Sequence, residues 1–207
     1  MNRSQATFTS HAPDAGPRRV TLIRHGATTQ PGHYHGRSDI PLSDHGMRAM
    51  HRAMGEERFD HVVSSPLRRC ATFAQDFAAL HDVPFALDAD WMEIGFGTWE
   101  GKTAAEIMAD SPKALKSFWR DPIGHPPPGG EPLESAADRV LHAWKRLPQA
   151  PSVLVVTHGG AMRLLFCRLM GLPLSALWRL ELNHVARLEF LVDEAGVRLH
   201  FFHAGGQ

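Results

Sequence analysis

The chain has 207 residues, 43% of them hydrophobic, and its 22 basic residues balance 22 acidic ones. That length suits one domain, or one domain with an insertion, and supplies enough apolar material for a sizeable core. Without a basic excess, a dedicated nucleic-acid or membrane-surface binder is not expected, and no apolar stretch approaches the length of a membrane span.

The two cysteines, Cys70 and Cys167, fall in segments of helical character. Free thiols in a reducing compartment, and hence a cytoplasmic protein, are expected rather than a disulfide. Residues 1–18 are polar, rich in Ser, Thr, Ala, Gly and Pro, and lack the apolar stretch of a secretory signal. They read as a disordered extension or a displaced start site, with the folded domain over 19–207. Most of the 14 histidines must be surface or packing groups. His33 and His35 have a spacing that can hold a metal, but no cluster of Cys or His ligands accompanies them, so no metal site is expected.

In chain order, Val20 to Arg24 reads as a buried strand and Thr28 to Pro41 as a Gly/Pro/His-rich loop. Ser43 is placed to cap a helix running to about Met54, with Leu42 as the apolar residue before it. His61 to Ser64 is a short strand. Ser65-Pro66 opens a helix, with Pro66 at its first position, ending near Leu80 or His81. Pro84 to Leu87 is a further candidate strand. The run Asp90 to Gly101 has no helical period and reads as a packed, irregular loop. Thr103-Ala104-Ala105-Glu106 is a capping box starting a short helix, and a second helix follows Ser111-Pro112 to about Arg120. Pro122 to Pro132 is a loop. Ser135 to Leu147 is helical, with Ala136, Val140, Leu141 and Trp144 inward. Ser152 to Thr157 is a strong buried strand, followed by a helix from Ala161 to Met170 that stops at Gly171. A short helix over Leu174 to Arg179 and a hairpin of Val185–Val192 with Val197–Phe202 complete the chain. Strands alternating with helices predict an α/β sandwich with a largely parallel sheet, with the stretch of about 91–132 inserted over one end.

Three apolar strands end on polar chemistry: Arg24-His25-Gly26, Ser64-Ser65-Pro66-Leu67-Arg68 and Thr157-His158-Gly159-Gly160. If they are parallel neighbours, their tips share the carboxyl edge, where open α/β sheets bind ligands. Arginines and histidines gathered there repel one another unless an anion sits among them. The arginine fork matches phosphate oxygens, and helix amino ends after Pro66 and Gly159 add partial positive charge. A phosphoryl group is the simplest ligand.

These pieces resemble the histidine phosphatase superfamily, also called phosphoglycerate-mutase-like. The matching stretches are Leu22-Ile23-Arg24-His25-Gly26, Gly36-Arg37-Ser38-Asp39-Ile40-Pro41-Leu42-Ser43 with Gly46, and Ser64-Ser65-Pro66-Leu67-Arg68-Arg69. They continue with Glu93-Ile94-Gly95-Phe96-Gly97-Thr98-Trp99-Glu100-Gly101, Pro128-Gly129-Gly130-Glu131 and Val155-Val156-Thr157-His158-Gly159-Gly160. They stand in the family's order over roughly Arg19 to Val192. The resemblance implies a three-layer α/β/α sandwich whose helical insertion caps the carboxyl edge of the sheet. It implies His25 as a nucleophile that becomes phosphorylated, and Arg24 and Arg68 as phosphate clamps. His158 is then the second histidine of the phosphate pocket, and Glu93 the acid that protonates the leaving oxygen. Gly159, Thr28, His35 and Gly36 are expected at the phosphate or substrate. No metal or other cofactor is implied, because the side chains supply the charge.

The chain departs from the family's usual residues at Ala27, where many members have Glu, at Pro31, where many have Asn, and at Cys70-Ala71-Thr72. These positions concern substrate contacts rather than the reacting groups. The run from Glu93 to Gly101 is most similar to the α-ribazole phosphatase group of cobalamin synthesis, though broad-specificity and sugar-phosphate phosphatases carry similar signatures. The expected partner is therefore a small-molecule phosphate ester, with no nucleic acid and no membrane, and a homodimer is left open. Mutase-type phosphoryl transfer, a non-catalytic phospho-ligand-binding module and a metal-dependent hydrolase are the alternatives. Trp91, Trp99 and Phe96 either wall an aromatic substrate or pack the insertion.

Overall fold

The computed structural model describes residues 16–206. Its centre is a six-stranded sheet in the order β3-β2-β4-β1-β5-β6, with β1 at Arg18–Arg24, β2 at His61–Ser64, β3 at Phe85–Leu87, β4 at Ser152–Thr157, β5 at Arg187–Asp193 and β6 at Gly196–His203. The four strands β3, β2, β4 and β1 run parallel, and the closing hairpin β5–β6 is antiparallel to them. The expected mostly parallel sheet is therefore present. Most of the proposed extension, residues 1–15, lies outside the described residues. Arg18 belongs to β1, so the boundary drawn at residue 18 falls one residue inside the domain.

Alternation along the strands builds two cores. Val20, Leu22, Val153 and Val155 face one side, under helix α5 (Leu133–Lys145) and helix α6 (Gly159–Leu169). Ile23, Val62, Leu154 and Val156 face the other, under α1 (Asp44–Met54) and α2 (Arg68–His81). Successive side chains of a strand point to opposite faces, so a central parallel strand with both faces covered must be apolar throughout. That is why β4 reads Val-Leu-Val-Val.

Local signals also hold. The Ser43 hydroxyl accepts the Gly46 N–H at 3.0 Å, and the Thr103–Glu106 capping box opens helix α3 (Ala104–Asp110). Helix α4 (Pro112–Arg120) follows, and the two pack a separate small cluster of Trp99, Ile107, Leu115 and Phe118. Pro66 precedes the first turn of α2 rather than starting it, with Leu67 as the cap residue. Gly171, at φ 64°, ends the turn after α6 as expected. No helix among the described residues is long and apolar enough to cross a membrane.

Candidate active site

Strand order decides the site. β1 and β2 both pair with β4, in registers that bring Arg24 opposite Thr157 and Ser64 opposite Val156. Bonds continue past the strand ends: the His25 N–H donates to Thr157 O at 3.0 Å and the Ser65 N–H to Val156 O at 3.0 Å. The three polar tips are thereby gathered on one edge. A further close approach locks the first tip. Gly26 and Gly46 lie so near one another that a Cβ on Gly26 would overlap the Gly46 backbone, and one on Gly46 would overlap Ala27.

His25 is 6% exposed, and its Nδ1 lies 2.8 Å from the Gly26 carbonyl oxygen. A carbonyl only accepts, so the ring proton sits on Nδ1 and Nε2 keeps its lone pair. Burial, then the charges of Arg24 and Arg69, push the imidazole well below its usual pKa, so it is neutral. His158 is fully buried 5.2 Å from His25, centroid to centroid, and is neutral for the same reasons, burial first and then Arg69. Its Nδ1 accepts from Arg69 Nε at 3.2 Å, which puts its proton on Nε2, 2.8 Å from the Ser65 hydroxyl.

The second arginine of the cluster is Arg69, not Arg68. Arg68 is exposed, and only its backbone N–H is engaged, by Asp39. Arg69 is fully buried and donates to His158, to Ser38 O at 2.7 Å, and to His35 O and Gly36 O at 2.9 and 2.8 Å. The reason is helical phase. The buried stripe of α2 is Cys70, Phe73, Ala74, Phe77 and Ala78, and Arg69 lies four residues before Phe73, whereas Arg68 lies on the exposed face with Thr72.

Arg24 donates to Leu182 O at 2.6 Å, while its Nε is buried without a partner. Burial lowers its pKa most, and Arg163 and Arg69 lower it further, against Glu93. Glu93 is held by two backbone donors, Ile94 N–H at 2.9 Å and Gly160 N–H at 3.1 Å. The segment carrying it is pinned by Arg139, which donates to the carbonyls of Asp90 and Met92 and pairs with Glu131 at 2.8 Å. Gly160 must lack a side chain, since a Cβ there would overlap Glu93 Oε1.

A cavity of about 540 Å3 opens beside these groups, lined at one end by Arg24, Glu93 and Gly159. His35 also lines it, with its ring stacked on His33. Gly36 contributes its carbonyl to Arg69, and its own N–H is tied to Glu100, which also binds the amides of Arg37, Ser38 and Phe96. Thr28 does not line the cavity; it is buried, with its hydroxyl on Gln30 O, in a bridge to Leu42. Of the three aromatics expected as wall or packing, Trp91 is buried in the main core and Trp99 in the small cluster, and only Phe96 reaches the cavity. The aromatic wall comes instead from Tyr34, Phe118, Trp119 and Trp178 alongside Phe96.

Two site residues escape the sequence patterns. Arg163 lines the cavity one turn into α6, and His184 lies 5.7 Å from His25, ring to ring. Arg163 follows Gly159 by four residues, which is one helical turn and a usable signal. His184 has none: it is brought to His25 by the irregular entry to β5, where Val185 holds φ 55° and donates its N–H to His25 O. Burial, then Arg24, pushes His184 down to a pKa of about 4. Cys70 and Cys167 are free and buried, and among the described residues no three of His, Cys, Asp or Glu gather as a metal site.

The sequence profile described as histidine phosphatase superfamily (branch 1) matches residues 20–204. A bifunctional protein of Mycobacterium tuberculosis is 32% identical over 195 residues, covering 88% of this chain and 53% of its own length, so the chain spans about half of that curated relative. The adenosylcobalamin/α-ribazole phosphatase of Escherichia coli K12 is 28% identical over 173 residues, covering 80% of this chain and 85% of its own. Among solved structures, a mycobacterial glucosyl-3-phosphoglycerate phosphatase superposes with a TM-score of 0.80 at 26% identity, covering 91% of this chain and 99% of its own.

Proposed function

This chain belongs to the histidine phosphatase superfamily, and from that premise we propose that it is a metal-independent phosphomonoesterase working through a phosphohistidine. The observation that carries the reading is the neutral His25, whose Nδ1–H rests on Gly26 O and whose Nε2 stands unprotonated beside Arg24 and Arg69. A histidine attacks only through an unprotonated nitrogen. Nε2 forms a bond to phosphorus as the ester P–O bond breaks, and Glu93 delivers a proton to the departing alcohol oxygen. Arg24 and Arg69 answer the charge on the equatorial phosphoryl oxygens, and Gly159 at the start of α6 adds the helix amino end. In the second half Glu93 takes a proton from water, whose oxygen attacks phosphorus; the N–P bond breaks and inorganic phosphate leaves. His158 holds Arg69 Nε and so fixes one clamp, and Ser65 fixes His158 in turn. Arg69 and Glu100 together hold the loop through Gly36, and His35 on that loop faces the substrate cavity.

The substrate is a small phosphorylated metabolite, and the setting is the cytoplasm, as two buried free thiols suggest. Relatives of similar identity are named for α-ribazole and for glucosyl-3-phosphoglycerate substrates, so α-ribazole 5′-phosphate and carboxylate-bearing esters belong in the same screen. The test is an acid quench after mixing with 32P-labelled phosphate ester. Acid-labile label should appear on the protein and be absent from His25→Ala. Full turnover by His25→Ala would end the mechanism, and an isomerised phosphoglycerate in place of inorganic phosphate would move the chain to the mutase reading.

A further inference from the structure

We infer that Glu100 is the counter-charge and the positioning residue of the phosphate clamp Arg69, acting on it through two peptide groups of the 35–38 loop. The inference rests on the reading that assigns Arg69 to the phosphoryl oxygens.

The two side chains grip the same peptide groups from opposite sides. In the peptide joining His35 to Gly36, the carbonyl accepts from Arg69 Nη2 at 2.9 Å and the N–H donates to Glu100 Oε2 at 3.1 Å. In the next, joining Gly36 to Arg37, the carbonyl accepts from the same Nη2 at 2.8 Å and the N–H donates to Glu100 Oε1 at 2.8 Å. A peptide is planar and trans, so its C=O and N–H point in opposite directions. A cation at the oxygen and an anion at the hydrogen polarise it in the same sense, and each bond strengthens the other. Two such peptides in succession form a relay from carboxylate to guanidinium. Ser38 adds contacts at each end, its N–H and hydroxyl donating to Glu100 and its carbonyl accepting from Arg69 Nη1 at 2.7 Å.

The relay answers a problem of burial. Arg69 is fully buried, and among the described residues neither it nor Glu100 makes a direct ion pair. A buried guanidinium needs compensation, and carbonyls whose amides rest on an anion supply more of it than carbonyls alone. Burial pushes the half-buried Glu100 carboxyl up, but the Ser38 hydroxyl and the amides of Phe96, Arg37 and Ser38 outweigh it. They hold the group below its usual pKa, so it is ionised. The packing has no slack, since a Cβ on Gly36 would overlap Ile94 O and Glu100 Oε1. A guanidinium has five N–H donors. His158 takes the one on Nε, His35 and Gly36 the two on Nη2, and Ser38 one on Nη1. One N–H of Nη1 is left for a phosphoryl oxygen, and the relay fixes where it stands.

Glu100→Gln tests this, because an amide cannot replace the carboxylate in either orientation. Oε1 accepts from the Arg37 and Phe96 N–H groups, and Oε2 from those of Gly36 and Ser38, so an NH2 in either place faces two donors. The measurement is a double-mutant cycle of Glu100→Gln and Arg69→Ala on p-nitrophenyl phosphate, with melting temperatures recorded alongside. Glu100→Gln should lower kcat/KM about tenfold when Arg69 is present, the scale of a charged group displaced by a fraction of an ångström. In the Arg69→Ala background the same change should cost less than about twofold, because its effect passes through the arginine. Glu100→Asp keeps the charge and should recover part of the loss. If Arg69→Ala does not fold, Arg69→Met, which keeps more of the side-chain bulk, takes its place in the cycle with the same contrast expected. No loss in Glu100→Gln, or equal factors in the two backgrounds, overturns the relay while leaving the phosphatase reading intact. If the wild type neither hydrolyses p-nitrophenyl phosphate nor takes up label at His25, the phosphatase reading fails, and the positioning role with it.

Discussion

Replacing Arg69 and Arg68 in turn separates two adjacent arginines that the sequence makes look equivalent. Arg69 makes four hydrogen bonds from a fully buried position, to His158 Nδ1 and to the carbonyls of His35, Gly36 and Ser38. Hydrogen bonds to a charged group contribute roughly 1.5–3 kcal/mol each, but they are not additive here. In Arg69→Ala water can enter and satisfy some of the carbonyls, and the repulsion between Arg69 and Arg24 disappears. A net loss of about 3 kcal/mol remains, typical of breaking a buried charged network. With a urea m-value of about 2–3 kcal/mol/M, the unfolding midpoint should fall by about 1–1.5 M. Activity should fall further, because the proposed mechanism assigns Arg69 to the phosphoryl oxygens: about 100-fold or more in kcat/KM on p-nitrophenyl phosphate. Arg68→Ala removes an exposed side chain and leaves the Asp39 contact, which is made by the backbone. Its stability should stay within about 0.5 kcal/mol of wild type, with activity nearly unchanged. Urea titration of the three proteins and one kinetic series suffice. If Arg68→Ala costs as much activity as Arg69→Ala, the assignment by helical phase is refuted.

Glu93→Gln keeps the shape of the acid but cannot give up a proton, so alkyl phosphates should lose far more rate than p-nitrophenyl phosphate, and equal losses would remove its acid role. Gly160→Ala places a methyl group against Glu93 Oε1 and should show the same leaving-group dependence in milder form; a uniform loss on all esters would instead point to general disruption of α6. Stability should fall as pH drops below about 6.5, because unfolding lets His25, His158 and His184 take up protons that the folded state refuses. All three folded pKa values are depressed, so their contribution is complete above the unfolded pKa and is lost as pH falls toward the folded one. His25 and His158 should each add a slope of roughly 1.4 kcal/mol per pH unit in that window, and His184, more open to water, less. Urea midpoints measured from pH 7 to 4.5 should show this slope flattened in His184→Ala; an unchanged slope would mean that His184 already protonates freely in the fold.

How much was readable depends on where the information is stored. Local rules place most elements. Apolar runs mark β1 and β4, Ser43 and the Thr103–Glu106 box mark the starts of α1 and α3, and Gly171 marks the turn after α6. These signals are properties of a few neighbouring residues and survive without tertiary context. The gathering of His25, Ser65 and His158 could be inferred only conditionally, on three strands being parallel neighbours. The β2-β4-β1 order met that condition, and it comes from long-range pairing that no local window records.

By itself, then, the sequence marked the three strand tips, the family, and His25 and Glu93 as the residues to which the proposed mechanism assigns attack and proton transfer. Tertiary structure decided which arginine turns inward, because the choice between Arg68 and Arg69 hangs on the 100° that separates consecutive residues on a helix and on which face the sheet covers. It also decided which aromatics line the cavity. Trp91 and Trp99 pack inward, while Trp119 from α4 and Trp178 from the segment after α6 both line it. Only the folded chain brings His184 beside His25. The two are more than a hundred residues apart, and such a contact leaves no periodic trace in the chain.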